Sequence, residues 1–237
     1  MIRIAIFASG AGSNARKIME HFRDHSAVQV ALVGCNNPAA GVIAVAKSFG
    51  VPVLPIDKEV FFRGDGYVQQ LKDTRISWII LAGFLWKIPA TLIGAFPRRI
   101  INIHPALLPA YGGKGMYGNK VHESVIAAGE ELTGITIHYV NEVYDAGETI
   151  VQVPCPVLPD DTPDSLATRI HALEHEHFPR IIEELASSTI SGIRAARVKA
   201  LRGDCSSCLR NSSRYIFPLA PLHRIFAALK RVINEIL

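Results

Sequence analysis

Short apolar runs alternate with amphipathic helical patterns through the first hundred residues, and no other feature limits the fold of this chain as much. The runs fall at 3–8, 28–36, 51–54, 78–82 and 99–104 and are rich in Ile, Val and Leu. Helical patterns start between them near Ser13, Gly41, Tyr67 and Pro89. Strands apolar at nearly every position are covered on both faces, and repeated strand–helix–strand units give a parallel sheet. The expectation is an α/β, Rossmann-like, mostly parallel sheet with helices on both faces. Gly50 after Phe49 suits a helix C-cap, and Pro89 suits a first helical turn.

After Pro109 the rhythm changes. Residues 111–119 include Gly112, Gly113, Gly115 and Gly118 and read as a tight loop or hairpin. A helical pattern at 120–128 precedes strand patterns at 134–140 and 149–157, which predict an antiparallel extension of the sheet. Thr162-Pro163-Asp164 then opens a long helix with an N-cap, a first-turn proline and an acidic first turn. That helix is expected to run to about His177, with Pro179 starting or kinking a second piece through Leu185.

The formal charge of +4 hides two kinds of material. Nine of the 25 Lys and Arg but two of the 21 Asp and Glu lie in 186–237, so residues 1–185 carry −3 and the rest +7. The domain expectation is therefore a main domain at 1–185 and a basic C-terminal appendage of unknown role at 186–237. A basic whole-chain balance then says nothing of nucleic acid for the main domain. No apolar run reaches the length of a bilayer span. The run at 2–8 carries no signal-peptide pattern. Cys35, Cys155, Cys205 and Cys208 are too few and too scattered for a secreted disulfide framework. The expected location is cytoplasmic.

Asn102-Ile103-His104-Pro105 ends the fifth run. Alternate strand residues share a face, so Asn102 and His104 point together at a strand's C-terminal end, where open α/β sheets bind ligands. Ser9-Gly10-Ala11-Gly12-Ser13-Asn14 links the first run to the first helix. Its small residues and the free N–H groups of the helix start suit a single phosphate, though a plain tight turn has the same sequence. Asp145, in a turn-like Asp-Ala-Gly, would raise the pKa of His104 if the fold brought them together; spacing alone does not. His171-Ala172-Leu173-Glu174-His175 matches a zinc-protease signature literally. A catalytic zinc needs a third ligand and an open position, and hydrogen bonding to a ligand or to the neighbouring loop is the preferred use of His171 and Glu174. The Cys205/Cys208 pair has only His223 as a further candidate ligand. Trp86, just past the fourth run, reads as core.

Four landmarks in order resemble the folate-dependent formyltransferases: Ser-Gly-x-Gly-Ser-Asn at 9–14, Leu-Ala-Gly-Phe at 81–84, Asn-Ile-His-Pro-x-Leu-Leu-Pro at 102–109 and Asp-x-Gly at 145–147. The resemblance spans roughly residues 1–185. It implies formyl transfer from 10-formyltetrahydrofolate, as co-substrate, to the amine of glycinamide ribonucleotide in purine biosynthesis. It further implies that Asn102, His104 and Asp145 are catalytic, and that Gly12, Ser13 and Asn14 hold the nucleotide phosphate. His171 and Glu174 match positions that contact the glycinamide part. Leu85, Trp86, Lys87 and Ile88, with Asn141, Glu142, Val143 and Tyr144, would line the folate pocket beside Asn102, and Arg63 matches a folate-contacting arginine. The implied partners are small molecules, with no metal, nucleic acid or membrane, and the implied state is monomer or homodimer. The Gly-rich 111–119 loop, the Trp-Lys pair at 86–87 and the tail depart from the family pattern. Three other readings stand beside this one: a same-fold formyltransferase acting on another amine, such as an amino-sugar nucleotide, a catalytically silent folate- or nucleotide-binding module, and a zinc peptidase.

Overall fold

The computed structural model describes residues 1–63 and 66–201. Seven strands form one sheet in the order β3-β2-β1-β4-β5-β6-β7. The strands β1 (Ile2–Ala8), β2 (Val28–Cys35), β3 (Val53–Pro55), β4 (Trp78–Leu81) and β5 (Ile100–His104) run parallel. They are followed by β6 (Leu132–Tyr139) and β7 (Thr149–Pro156), each antiparallel to its neighbour. The expected parallel sheet with an antiparallel extension is the observed one.

Burial on both faces accounts for the apolar runs. In β1, Ile4 and Ile6 face one core with α1 (Ser13–His21), α2 (Gly41–Ser48) and α6 (Asn119–Ala127), while Ala5 and Phe7 face the other. That second core takes in Phe61 of α3 (Lys58–Arg63), Leu71 of α4 (Gly66–Asp73) and Leu92 of α5 (Ala90–Ala95). Each buried Ile or Phe contributes about 1.5–3 kcal/mol of transfer free energy, so the sheet's centre holds the fold.

Two elements differ from expectation. The six-residue α3 is too short to show a helical period; Asp57 starts it, accepting the Val60 N–H at 3.0 Å. The last helix, α7 (Pro163–Leu201), continues through Pro179 instead of pausing near His177. Proline inside a helix removes one hydrogen bond and crowds the preceding turn, costing about 3 kcal/mol. An unbroken buried ridge offsets this: Leu166, Ile170, Glu174, Phe178, Ile182 and Ala186 recur every fourth residue, all buried. Thr162 caps α7, accepting the Ser165 N–H at 3.2 Å.

Met1–Ile193 forms one compact unit. The Cys205/Cys208 pair, His223 and most of the expected appendage lie outside the described residues.

Candidate active site

The strand order reverses direction between β1 and β4, and a cavity of about 610 Å³ opens over that point. Gly12, Ser13 and Asn14 line it together with Asn102, His104, Asp145 and the Gly-rich loop. His171 and Glu174 of α7 also reach it.

The catalytic residues implied by the resemblance converge. Asp145 Oδ2 lies 3.6 Å from His104 Nδ1, and Asp145 Oδ1 accepts a hydrogen bond from Asn102 Nδ2 at 3.4 Å. Asp145 takes a left-handed backbone, φ +52°, and Gly113 N–H donates to its Oδ2 at 2.9 Å. Gly147 closes the same loop against β6: a Cβ there would sit 1.7 Å from the Tyr139 carbonyl oxygen, so no other residue fits.

His138 was not foreseen. It faces Asn102 across the β5–β6 register. Its Nδ1–H donates to the Tyr139 carbonyl at 2.8 Å, which leaves Nε2 to accept from Asn102 Nδ2 at 3.1 Å. Both N–H groups of Asn102 are thereby engaged, one by His138 and the other, over a longer distance, by Asp145. The polar alternation of β6 was visible in the sequence; its register against β5 was not.

His104 is 3% exposed, and its Nε2–H donates to the Tyr111 carbonyl at 2.8 Å. Burial lowers its pKa, outweighing the opposing pull of Asp145 and of the Tyr111 bond, with His138 lowering it further. Asp145 does pull the imidazole toward its protonated form, as expected, but desolvation of the charged form is the larger effect and the net shift is downward. Asp145 is itself drawn upward by burial. The His138 ring, 3.7 Å away, and the Gly113 hydrogen bond, with the charge of His104, nonetheless bring it below the usual carboxylate range.

At the first loop, α1 begins after Gly12 with no side-chain cap, so its leading N–H groups keep their capacity for an anion. Asn14 Nδ2 donates to Glu174 Oε2 at 2.8 Å, so part of the expected phosphate donor is turned toward α7. Burial pushes the Glu174 carboxyl above its ordinary range, against the Asn14 bond and the His171 charge. The His171 and His175 rings stack at 6.2 Å, and among the described residues no group of three His, Cys, Asp or Glu converges as a metal would require.

Residues 2–182 match the formyl transferase family. The chain belongs to that family. Over 194 residues it is 42% identical to the chloroplastic phosphoribosylglycinamide formyltransferase of Arabidopsis thaliana, covering 79% of this chain and 66% of that protein. Against the phosphoribosylglycinamide formyltransferase of Bacillus subtilis the identity is 34% over 200 residues, covering 82% of this chain and 100% of the other. The solved phosphoribosylglycinamide formyltransferase of Bacillus halodurans superposes with a TM-score of 0.71 at 38% identity, covering 79% of this chain and 96% of that one. The chain thus spans just under two thirds of the Arabidopsis relative.

The residues that formyltransferase resemblance assigned to folate divide among neighbouring clefts. Leu85 and Tyr144 line the main cavity. Arg63, Lys87, Ile88 and Glu142 line a second cleft of about 370 Å³ with Phe62. Trp86 belongs to neither: it joins an aromatic cluster, 5.9 Å from Phe61 and 5.5 Å from Phe62 between ring centroids, and borders a third cleft beside Cys35. Arg63 is exposed and pairs with Glu59 at 2.8 Å. Asn141 braces its own loop, donating to the Ala146 carbonyl at 3.0 Å and accepting from Val143 N–H at 2.9 Å, and Val143 faces solvent.

His122 of α6 is a second unforeseen member of the cavity, buried to 1% exposure. Its pKa falls to about 4 through burial and the nearby His171 and His104 charges, so it is a neutral imidazole at ordinary pH. Only the position of α6 against the sheet reveals it.

Proposed function

We propose that this chain transfers the formyl group of 10-formyltetrahydrofolate to the amine of glycinamide ribonucleotide, the reaction named for its relatives and a step of purine biosynthesis. The observation that carries the reading is the convergence of Asn102, His104 and Asp145 in the cavity that also holds the start of α1. An anion cradle and a proton carrier in one cavity suit an amine nucleophile bearing a phosphate.

The amine nitrogen attacks the formyl carbon and gives a tetrahedral intermediate. The bond from that carbon to the folate nitrogen then breaks, the new amide nitrogen loses a proton and the departing nitrogen gains one. With Nε2–H held by Tyr111, neutral His104 has its lone pair on Nδ1, the nitrogen beside Asp145. Nδ1 accepts the amine proton, Asp145 stabilises the imidazolium, and the same proton passes to the leaving nitrogen. Asn102 would turn the longer of its two N–H bonds from Asp145 to the oxyanion, a contribution of about 3 kcal/mol for such a donor. The folate would lie from Leu85 and Tyr144 toward the second cleft, where Arg63 and Lys87 offer positive charge to its carboxylates. No helix among the described residues is long and apolar enough to cross a membrane, and we place the reaction in the cytoplasm, in a monomer or homodimer.

The test is tetrahydrofolate release by the full-length chain given formyl-folate with glycinamide ribonucleotide, beside a panel of amino-sugar nucleotides. Turnover with the ribonucleotide is expected. A folded protein that formylates an amino-sugar nucleotide and leaves the ribonucleotide untouched defeats the reading.

A further inference from the structure

We propose that Lys114, at the tip of the Gly-rich loop, binds the phosphate of the nucleotide substrate and supplies the positive charge that the first loop lacks. The inference rests on the nucleotide reading above and extends it to a residue outside the family landmarks.

Charge accounting in the cavity is the first argument. A phosphate monoester carries about −1.5 to −2 charges at neutral pH, whereas a helix N-terminus offers roughly +0.5. Ser9-Gly10-Ala11-Gly12-Ser13-Asn14 contains no Lys or Arg, and Asp145 adds a further negative charge to the same space. Among the described residues lining that space, Lys114 is the only Lys or Arg. His122 is neutral at ordinary pH, with its pKa at about 4, and burial holds His104 toward its neutral form as well.

Loop geometry is the second argument. Met116 N–H donates to the Gly113 carbonyl at 3.1 Å, which makes 113–116 a turn with Lys114 and Gly115 at its corner. Gly115 has φ +90°, the conformation that the third position of a type II turn demands of a glycine. The turn is fastened at its root, because Gly113 N–H is the group that donates to Asp145. Lys114 is therefore displayed from a point tied directly to the catalytic carboxylate. Among the described residues no carboxylate pairs with its ammonium, whereas Lys17 is held by Glu20 and Lys120 lies 5.3 Å above the Tyr117 ring.

The experiment compares the full chain with Lys114→Met and Lys114→Arg in two measurements. In steady-state kinetics, Lys114→Met should raise KM for glycinamide ribonucleotide roughly tenfold, the loss expected for one hydrogen bond to a charged group. Its kcat and its KM for formyl-folate should hold, and Lys114→Arg should recover most of the loss. With the riboside that lacks the phosphate, wild type and Lys114→Met should behave alike. An unchanged KM for the ribonucleotide overturns the proposal. So does a fall in kcat alone, which would place the charge at the reacting carbon, or a rise confined to the folate KM. The second measurement is calorimetric titration with inorganic phosphate, which needs no turnover. Weaker binding by Lys114→Met supports the proposal, and equal binding refutes it. Because that readout is independent of the reaction, a wild type that fails to formylate the ribonucleotide would count against the parent reading and leave the Lys114 claim separately decided.

Discussion

The groups of this site ride on two kinds of support, and the support determines how each group is tuned. His104 stands on a sheet strand and Glu174 on the buried ridge of α7, both deep in packed structure. Burial dominates there: it lowers the histidine and raises the acid, favouring the uncharged form of each. Asp145 stands on a loop with a left-handed backbone. Burial pulls it upward too, yet the nearby His138 ring, the Gly113 backbone hydrogen bond and the His104 charge leave it lowered. The rigid supports thus hold groups biased toward their uncharged forms, and the loop holds one biased toward its charge.

Removing either partner tests that division most severely. His104→Ala and Asp145→Asn should each lower kcat by about 100-fold or more, the low end for loss of general acid–base help, while nucleotide binding persists. The two should differ in pH dependence. Wild-type activity falls as pH drops through the His104 pKa, because the base becomes protonated. Asp145→Asn removes an influence that raises that pKa, so the acid limb of its residual activity should move to lower pH. An acid limb that stays in place would mean that the carboxylate does not act through the imidazole.

The loop half can also be displaced without touching a reacting group. Gly147→Ala puts a methyl into the Tyr139 carbonyl, and overpacking of this kind costs about 1–3 kcal/mol. The Asp145 loop should lift from β6, with a lower melting temperature and a loss of kcat smaller than that of Asp145→Asn. Unaltered kcat at reduced stability would show that the loop's seat on the strand is dispensable for chemistry.

The same contrast separates what the sequence made legible from what it hid. The apolar runs of β1, β2, β4 and β5 announced themselves because burial on both faces leaves few polar positions. Asn102 and His104 followed from strand alternation alone. His138 and His122 did not, since one depends on the register of β6 against β5 and the other on where α6 docks, both long-range outcomes of packing. The passage of α7 through Pro179 was hidden for a related reason: a local breaker was outweighed by a ridge whose value exists only once the sheet is present. The net direction of the His104 shift belongs here too, because sequence shows a possible carboxylate neighbour but no measure of desolvation.

Glu174 gives the finest test of the comparison, through stability instead of rate. A carboxyl whose folded pKa lies above its unfolded value binds more protons in the native state, so stability is fully present below the unfolded pKa and declines as pH rises through the folded one. The ordinary value of a glutamate carboxyl is about 4.5. Melting temperature should therefore carry a downward component as pH rises from about there, attributable to this one buried acid. Glu174→Gln keeps the shape and can still accept the Asn14 hydrogen bond through its side-chain oxygen, but it cannot ionise. That variant should lose this component, so that its stability relative to wild type improves as pH increases. Parallel melting curves for the two proteins across that range would mean that the helix-borne acid is not tuned by burial, and the distinction between packed and loop-borne groups would then reduce to His104 alone.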